Sequence, residues 1–182
     1  MPTFTCETTH HQYPLTIKTD CTLDNTIVST CQNLANRFVF ICDERISQQY
    51  AQPIINQFQQ HNVAYHLITI TSGEEHKTRN TKQRIEDQML TLGCGRDTAT
   101  IAIGGGVTTD IAGFVAATYC RGIPVVLIPT TLLAMVDATI GGKTAVNTPQ
   151  GKNLIGSFHA PTHVFCDPRV LQTCQQDQLL DG

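Results

Sequence analysis

The chain has 182 residues, of which 41% are hydrophobic and 15% are charged, and its formal net charge at pH 7 is −3. This length and composition predict one globular domain with a substantial core, and the near-neutral charge balance argues against a nucleic-acid partner. No segment approaches the roughly 20 apolar residues that span a bilayer, so we expect no membrane partner either.

The start of the chain and its cysteines both favour a cytoplasmic protein. The first residues carry neither a basic flank nor an apolar stretch, which argues against a signal peptide. The 8 cysteines stand apart from one another, without a C-x-x-C spacing, and several fall in apolar segments. We therefore expect reduced thiols in a cytoplasmic compartment.

Strands and helices alternate in the first half of the chain. The apolar periodicity predicts strands over residues 13–19, 38–42 and 65–70, and helices over residues 23–36, 48–61 and 81–92. Asp43 follows the second of these strands, where doubly wound sheets commonly place an acidic residue against an adenosine ribose. A solvated loop is the alternative interpretation of this residue.

The middle of the chain carries the clearest functional signals. Residues 98–103 are β-branched and apolar, which predicts a strand buried on both faces, and the triple glycine 104–106 ends it. Thr108, Thr109 and Asp110 can cap the helix that follows. A strand, a glycine turn and a helix N-terminus together present free N–H groups to an anion such as a phosphate, with a plain tight turn as the alternative.

Further polar groups are predicted at the same rim. Asp110 would repel a diphosphate, so we expect it to accept a hydrogen bond from a ribose or polyol hydroxyl, unless it only caps the helix. A second buried strand over residues 124–128 leads through Thr130 and Thr131 into a helix that carries Asp137. Because the carboxyl ends of parallel strands share one edge, both threonines are expected beside the glycine turn, or one of them serves as an N-cap.

The segment GGKT, residues 141–144, resembles the end of a P-loop. Asp137 stands where the earlier glycine belongs, and no strand leads straight into the segment, which excludes a nucleotide triphosphatase. Lys143 and Lys152 nevertheless place two cations near the glycine-rich rim, with Asn153 beside the second. They indicate recognition of an anion, and two solvated surface lysines are the alternative.

The end of the chain continues the same alternation. A last strand is predicted over residues 164–166, a helical turn over residues 168–171, and the start of a further helix over residues 175–182. The whole pattern predicts an α/β fold whose sheet is mostly parallel, with helices on both faces. In this topology every candidate site residue is expected just past the carboxyl end of a strand.

Three segments carry a resemblance to a known family. GGGVTTDIAGFVAATYCRG, IPTTLLAMVDATIGGKTAVN and GKNLIGSFHAP are similar to the central motifs of the 3-dehydroquinate synthases, which belong to the sugar phosphate cyclases. The resemblance extends over about residues 38–182 and implies that residues 1–182 form a Rossmann-like NAD-binding domain. In that family a helical metal-binding domain follows, and its ligands for zinc or cobalt would lie beyond this chain.

The resemblance also implies a reaction, in the shikimate pathway to the aromatic amino acids. In this family 3-deoxy-D-arabino-heptulosonate 7-phosphate is converted to 3-dehydroquinate and phosphate, and a secondary alcohol is transiently oxidised by bound NAD on the way. The implied partners are a phosphorylated sugar acid and, as in relatives, a second copy of the chain in a homodimer. We expect no activity from this chain alone, and no metal site at His159 and His163, because Pro161 lies between them.

Individual residues receive roles from the same resemblance. Those matched to NAD contacts are Asp43, Glu74, Lys77, Gly105, Gly106, Val107, Thr109, Asp110, Thr130, Thr131, Leu133, Lys143, Lys152 and Thr173. Those matched to the substrate, and so to catalysis, are Asp137, Lys143, Lys152 and Asn153. Asp43, Glu74 and Lys77 are assigned to the adenosine side of the cofactor. A glutamate carboxylate accepts from both hydroxyls of a ribose and repels a 2′-phosphate, which favours NAD over NADP.

The chain also departs from the family pattern. Thr109 stands where the family has a glycine, and its side chain would narrow the turn. Ala138-Thr139 replaces a pair of serines. Two alternatives therefore stay open: a dinucleotide-binding fragment without catalysis, and another sugar phosphate cyclase or polyol dehydrogenase with the same glycine turn. The combination of GGKTAVN and GKNLIG favours the 3-dehydroquinate synthases over the dehydrogenases.

Overall fold

The structure of the chain, a computed structural model, describes residues 3–7, 11–174 and 179, so the helix predicted over residues 175–182 lies almost entirely outside it. The strands are β1 (Thr3–Glu7), β2 (Gln12–Ile17), β3 (Arg37–Asp43), β4 (Ala64–Ile70), β5 (Thr98–Gly104), β6 (Val125–Pro129), β7 (Lys143–Thr148), β8 (Gly151–Phe158) and β9 (His163–Cys166). The α-helices are α1 (Thr26–Cys31), α2 (Gln52–Gln60), α3 (Arg79–Thr91) and α4 (Gly106–Thr118).

A seven-stranded sheet in the order β1-β2-β9-β6-β5-β3-β4 forms the centre of the molecule. The neighbours from β2 to β4 pair in parallel, and only β1 runs antiparallel to its neighbour β2. The last strand along the chain therefore lies inside the sheet, between β2 and β6. This arrangement confirms the prediction of an α/β, Rossmann-like fold with a mostly parallel sheet.

Helices cover both faces of the sheet because its central strands are apolar on both sides. On β5 every residue is buried. Ile101 and Ile103 pack in a cluster that includes Phe58 of α2, whereas Ala102 packs in the cluster on the opposite face, which includes Val115 of α4. The predicted double-sided burial of this strand is confirmed.

Most predicted elements lie where the periodicity indicated, but the first helix is shorter. A helix was expected over residues 23–36, and α1 comprises only Thr26–Cys31. The Asp24 carboxylate accepts the Thr26 N–H at 2.9 Å, which holds the preceding residues in a turn. At the other end the Asn36 N–H donates to the Asp97 carbonyl at 3.0 Å, which already directs the chain into β3.

The helix predicted over residues 48–61 is present in two parts. A π-helical turn, Ser47–Ala51, precedes α2, and Pro53 lies in the first turn of α2. Proline is tolerated there because the N–H groups of the first turn have no intrahelical acceptor. The last predicted turn is also present, as a 3₁₀ helix over Pro168–Thr173.

An antiparallel hairpin of β7 and β8 forms a separate two-stranded sheet that the sequence did not predict. Its strands mix polar and apolar residues with two glycines, and exposed and partly buried residues alternate irregularly along β8. The hairpin packs against α4, where a Cβ added at Gly113 would clash with the Thr144 side chain. A glycine in α4 therefore lets the two elements approach closely.

The cysteines are thiols, as predicted. All eight are free, and the buried ones are Cys21, Cys31, Cys42, Cys94 and Cys166. Burial raises the pKa of Cys21, Cys31 and Cys42 to about 12, so these thiols stay protonated. In the part of the chain that the structure describes, no helix has the length and apolar character needed to cross a bilayer.

We expect the buried ring of His163 to make the stability of the fold depend on pH. Its ring is buried in β9, stacks on Phe165 and lies 2.9 Å from the Thr16 hydroxyl, and burial lowers its pKa to about 4. As the pH falls below about 6.5, the unfolded chain gains a proton here and the folded chain does not. The free energy of unfolding should therefore decrease by up to about 3 kcal/mol between about pH 6.5 and pH 4.

The variant His163→Gln tests this prediction. It should lack this part of the acid dependence, as measured by urea unfolding at several pH values, whereas the control His61→Gln, at an exposed position, should retain it. If the unmodified chain and both variants depend equally on acid, the role of His163 is contradicted.

Candidate functional site

The triple glycine forms a tight turn between β5 and α4. A Cβ at Gly104 would lie 2.5 Å from the Thr108 hydroxyl oxygen, and one at Gly105 would lie 3.1 Å from the Thr131 methyl carbon. The turn thus needs residues without side chains because its neighbours approach closely. Helix α4 begins at Gly106 with Gly105 as its N-cap, and no side chain caps it. The prediction that Thr108, Thr109 or Asp110 cap this helix is therefore wrong, since all three lie inside it.

Thr109, which stands where the family has a glycine, lies inside α4. Its side chain is buried, and its hydroxyl lies 3.3 Å from the carbonyl oxygen of Gly105 and 3.1 Å from that of Gly106. The hydroxyl therefore bonds the backbone of its own helix. Thr109 does not line either of the clefts described next, so its match to an NAD contact can involve only its position in the turn.

Two clefts adjoin along the rim of the sheet, and Glu74, Gly106 and Val107 line both. The first, the strand-end cleft, has a volume of about 500 Å³, and its lining includes Asp43, Gly105, Thr130, Thr131 and Thr173. The second, the hairpin cleft, has a volume of about 650 Å³, and its lining includes Lys77, Asp110, Leu133, Asp137, Lys143, Lys152 and Asn153. Of the predicted site residues, only Thr109 lines neither cleft.

The strand-end cleft collects polar groups from the ends of several strands. Asp43, at the end of β3, accepts hydrogen bonds from the Arg45 N–H at 2.9 Å and from the Ser72 hydroxyl. Thr173, from the turn after β9, is hydrogen-bonded to the Tyr50 hydroxyl. This cleft therefore brings a carboxylate and hydroxyl groups beside the N-terminus of α4, a combination that suits a phosphorylated polyol such as a nucleotide.

The two threonines after β6 lie beside the glycine turn, as predicted. The Thr130 N–H donates to the Gly104 carbonyl at 2.9 Å, which ties the two strand ends together. The Thr131 hydroxyl accepts the Ala134 N–H at 3.3 Å. Thr131 therefore also caps the following helical turn, which was the alternative interpretation for one of the two threonines. The helical turn that follows, Ala134–Ala138, carries Asp137 at an exposed position in the hairpin cleft.

Lys77 connects three elements at the hairpin cleft. Its side chain is 6% exposed, and its ammonium donates to the Asp110 carboxylate of α4 and, at 2.6 Å, to the Asn153 side-chain oxygen of β8. Burial raises the pKa of the Asp110 carboxyl, and the Lys77 ammonium acts in the opposite direction. Lys77 lines the hairpin cleft and not the cleft that contains Asp43, so the structure separates two residues that were assigned together to the adenosine side.

The hairpin supplies two cations to the site. Lys143 begins β7, and Lys152 and Asn153 lie near the start of β8. The prediction that every candidate residue follows the carboxyl end of a strand is therefore wrong for these three, because the hairpin folds over α4 instead of joining the sheet. Both lysines line the hairpin cleft, as expected for cations near the glycine-rich rim, and the Lys152 ammonium lies 3.9 Å from the Glu74 carboxylate.

Two polar residues that the sequence did not single out hold the predicted ones in place. Ser72 donates to Asp43, and Asn147 donates from its side chain to the Glu74 carboxylate at 2.7 Å. Ser72 lies in no pattern that marks it, and Asn147 ends the GGKTAVN motif but received no role of its own. Their contacts depend on which segments the fold brings together.

The two histidines considered as metal ligands have separate partners. The His159 ring lies 3.0 Å from the Ile123 carbonyl oxygen, and the His163 ring lies against Thr16. Within residues 3–7, 11–174 and 179, no group of three or more histidine, cysteine, aspartate or glutamate side chains could hold a metal ion. The donor set for a metal is thus lacking in the described part of the chain.

Several known proteins are similar to this chain in sequence. A family model described as 3-dehydroquinate synthase N-terminal matches residues 67–181. The pentafunctional AROM polypeptide 2 of Lodderomyces elongisporus is 49% identical over 139 residues, which are 76% of this chain and 9% of that protein. The 3-dehydroquinate synthase of Syntrophotalea carbinolica is 43% identical over 150 residues, which are 82% of this chain and 41% of that protein.

A solved structure shows the same fold. The crystal structure of 2-deoxy-scyllo-inosose synthase complexed with carbaglucose-6-phosphate, NAD+ and Co2+ superimposes with a TM-score of 0.88 at 28% sequence identity. The match covers 97% of this chain and 48% of that one. The chain therefore spans less than half the length of each of these three proteins.

The ion pair of Lys77 and Asp110 provides a test of how the site is stabilised. In Lys77→Ala the Asp110 carboxylate, 16% exposed, is left without a counter-ion, so we expect the free energy of unfolding to decrease by about 3 kcal/mol at neutral pH. Without Lys77 the pKa of Asp110 should rise further. The loss should shrink as the pH falls, because a protonated carboxyl needs no counter-ion.

The matched control is Lys152→Ala, which removes a lysine that is 75% exposed and lies 3.9 Å from Glu74. This variant should lose less than about 1 kcal/mol, as usual for exposed ion pairs. Urea unfolding measures both variants, and equally small losses would show that the buried pair does not stabilise the site.

Proposed function

Because this chain belongs to the 3-dehydroquinate synthase family, we propose that it forms the NAD-binding part of such an enzyme. The proposed reaction of the whole protein converts 3-deoxy-D-arabino-heptulosonate 7-phosphate to 3-dehydroquinate and phosphate. The arrangement of the two clefts is the main support for this function. The glycine turn lies between two adjoining clefts, one lined by groups that suit a dinucleotide and the other by cations and polar groups that suit a phosphorylated sugar acid.

The strand-end cleft has the features that a dinucleotide requires. Helix geometry leaves the N–H groups of Gly106 and Val107 without intrahelical acceptors at the positive end of α4, where a diphosphate would bind. Asp43 and Glu74 offer carboxylate oxygens to ribose hydroxyls, and such carboxylates would repel the 2′-phosphate of NADP. Thr130, Thr131 and Thr173 add hydroxyl groups to the same cleft.

The hairpin cleft is proposed to bind the substrate next to the cofactor. Bound NAD would supply reversible hydride transfer, with transient oxidation of a secondary alcohol of the substrate. Lys143 and Lys152 attract an anionic substrate, and Asp137 and Asn153 can hydrogen-bond its hydroxyl groups. The buried Lys77 holds Asp110 and Asn153 in fixed positions beside the shared glycine turn.

The described residues do not fit a metal ion, so we derive no step of the reaction through one. The related 2-deoxy-scyllo-inosose synthase contains Co2+, and zinc or cobalt is our proposal for the whole enzyme. Its ligands would come from the helical domain that follows in the family. We further propose that residues 1–182 act as one domain, that the protein is a cytoplasmic homodimer, and that it has no nucleic-acid or membrane partner. The low net charge of −3 is consistent with the last point.

A second candidate is a dinucleotide-binding fragment without catalysis. It is favoured by the exposure of Lys143 and Lys152, the two lysines that the hairpin contributes to the hairpin cleft. Such a module would bind NAD and leave the substrate unchanged. Both candidates therefore share the cofactor site and differ only in the chemistry at the hairpin cleft.

Binding of NAD tests what the two candidates share. At a hundredfold excess over the dissociation constant, NAD should stabilise the chain by about 2.7 kcal/mol, a rise in melting temperature of roughly 5–10 °C for this size. Glu74→Ala should remove most of that rise. The matched control Glu75→Ala, at a carboxylate that is 73% exposed, should keep it. An unchanged rise in Glu74→Ala would contradict the ribose-binding role of Glu74.

Release of phosphate from the heptulosonate substrate separates the two candidates. The chain alone should release none, whereas the chain supplied with the metal-binding domain of a 3-dehydroquinate synthase should release phosphate in an NAD-dependent way. Release by the chain alone would contradict the need for a metal-binding domain. Failure of both preparations, with NAD binding intact, would favour the fragment without catalysis.

A further inference from the structure

We propose that Asn147 is a positioning residue that orients Glu74 and Asn153 at the two clefts. This inference rests on the proposed NAD-binding function and adds a residue to it. The Asn147 amide nitrogen donates to the Glu74 carboxylate at 2.7 Å, and the amide oxygen accepts the Asn153 backbone N–H at 2.9 Å. One side chain therefore uses both its donor and its acceptor on two different site residues.

The backbone of Asn147 is itself fixed to the turn that follows β4. Its N–H donates to the Lys77 carbonyl at 2.8 Å, and Asn147 forms an isolated parallel bridge with Thr78. Through these contacts β7 is attached to the segment that carries Glu74 and Lys77, although the two segments are about seventy residues apart in sequence. The Asn147 amide is thus held between the residues that it orients.

Glu74 depends on this contact because its other partner is weak. Its side chain is 42% exposed at the junction of the two clefts, and the Lys152 ammonium lies 3.9 Å away on a side chain that is 75% exposed. Exposed ion pairs contribute little, whereas a hydrogen bond to a charged carboxylate is among the stronger polar contacts. Asn147 therefore reduces the freedom that the Glu74 side chain would lose on binding a ribose.

Asn153 depends on Asn147 through its backbone. Its φ of 57° lies in the left-handed region, which is uncommon for a residue other than glycine. The hydrogen bond from its N–H to Asn147 stabilises this conformation, and the Asn153 side chain then reaches the Lys77 ammonium at 2.6 Å. Asn147 is thereby linked, through Asn153 and Lys77, to the carboxylate of Asp110.

A double-mutant cycle on the chain tests this inference, with NAD affinity measured by calorimetry. Asn147→Ala should weaken NAD binding about tenfold, as expected for a lost hydrogen bond to a charged group. In the Glu74→Ala background the same change should weaken it less than about twofold, because the residue that Asn147 orients is already gone. Gln150→Ala, at an exposed position of the same hairpin, is the matched control and should leave the affinity unchanged.

The outcomes separate this inference from a general structural role. A tenfold loss in both backgrounds would show that Asn147 only supports the hairpin, and no loss in either would show that it does not orient Glu74; each would overturn the inference. If Asn147→Ala lowers the melting temperature strongly, Asn147→Leu keeps the side-chain volume and removes only the hydrogen bonds.

A second readout does not require NAD. Hydrogen exchange at the Asn153 amide should be about tenfold faster in Asn147→Ala and unchanged in Glu74→Ala. Absence of NAD binding by the unmodified chain would refute the proposed function and, with it, the role at Glu74. A different result would refute only the role of Asn147. In that case NAD still binds, exchange at the Asn153 amide is unchanged in Asn147→Ala, and the losses of NAD affinity in the two single variants are additive.

Discussion

The buried contact of Lys77 with Asp110 and Asn153 is the interaction on which the arrangement of the site depends. It joins the segment after β4, the first turns of α4 and the start of β8, which have no continuous secondary structure in common. An ammonium and a carboxylate withdrawn from water are stable together only when each keeps its partner. The three elements therefore hold one another in register, and the clefts on either side keep their shape.

The hairpin of β7 and β8 converts a common sheet edge into a two-sided site. Without it, the carboxyl ends of the strands and the N-terminus of α4 would form the usual dinucleotide crevice of an open α/β sheet. The hairpin folds over α4 and brings Lys143 and Lys152 to the other side of the glycine turn. The turn Gly141-Gly142 permits this because both residues have positive φ, at 87° and 70°, and the Tyr13 hydroxyl accepts the Gly141 N–H at 2.9 Å.

The fold could be predicted from the sequence where burial dominates, and the site only in part. The apolar run of β5, the glycine turn and the strands β3, β4 and β6 follow from periodicity, because two-sided burial demands apolar side chains. The hairpin carries no such signal, since its stability comes from packing on α4. The separation of Lys77 from Asp43 could not be foreseen either. It depends on the buried contact of Lys77 with Asp110, which lies 33 residues away in sequence. The family motifs identified most residues that line the clefts, whereas the roles of Ser72 and Asn147 emerge only from the contacts.

The position of β9 has a consequence for how the chain is assembled during synthesis. Strand β2 leaves the ribosome more than a hundred residues before its parallel partner β9. Until β9 emerges, the β1–β2 hairpin cannot pair with the parallel sheet, and the edge of β6 that pairs with β9 has no partner strand. Closing that gap brings together segments more than a hundred residues apart, which is a slow step in folding. We therefore expect the nascent protein to pass through a stage with an unpaired apolar strand, the kind of species that chaperones protect.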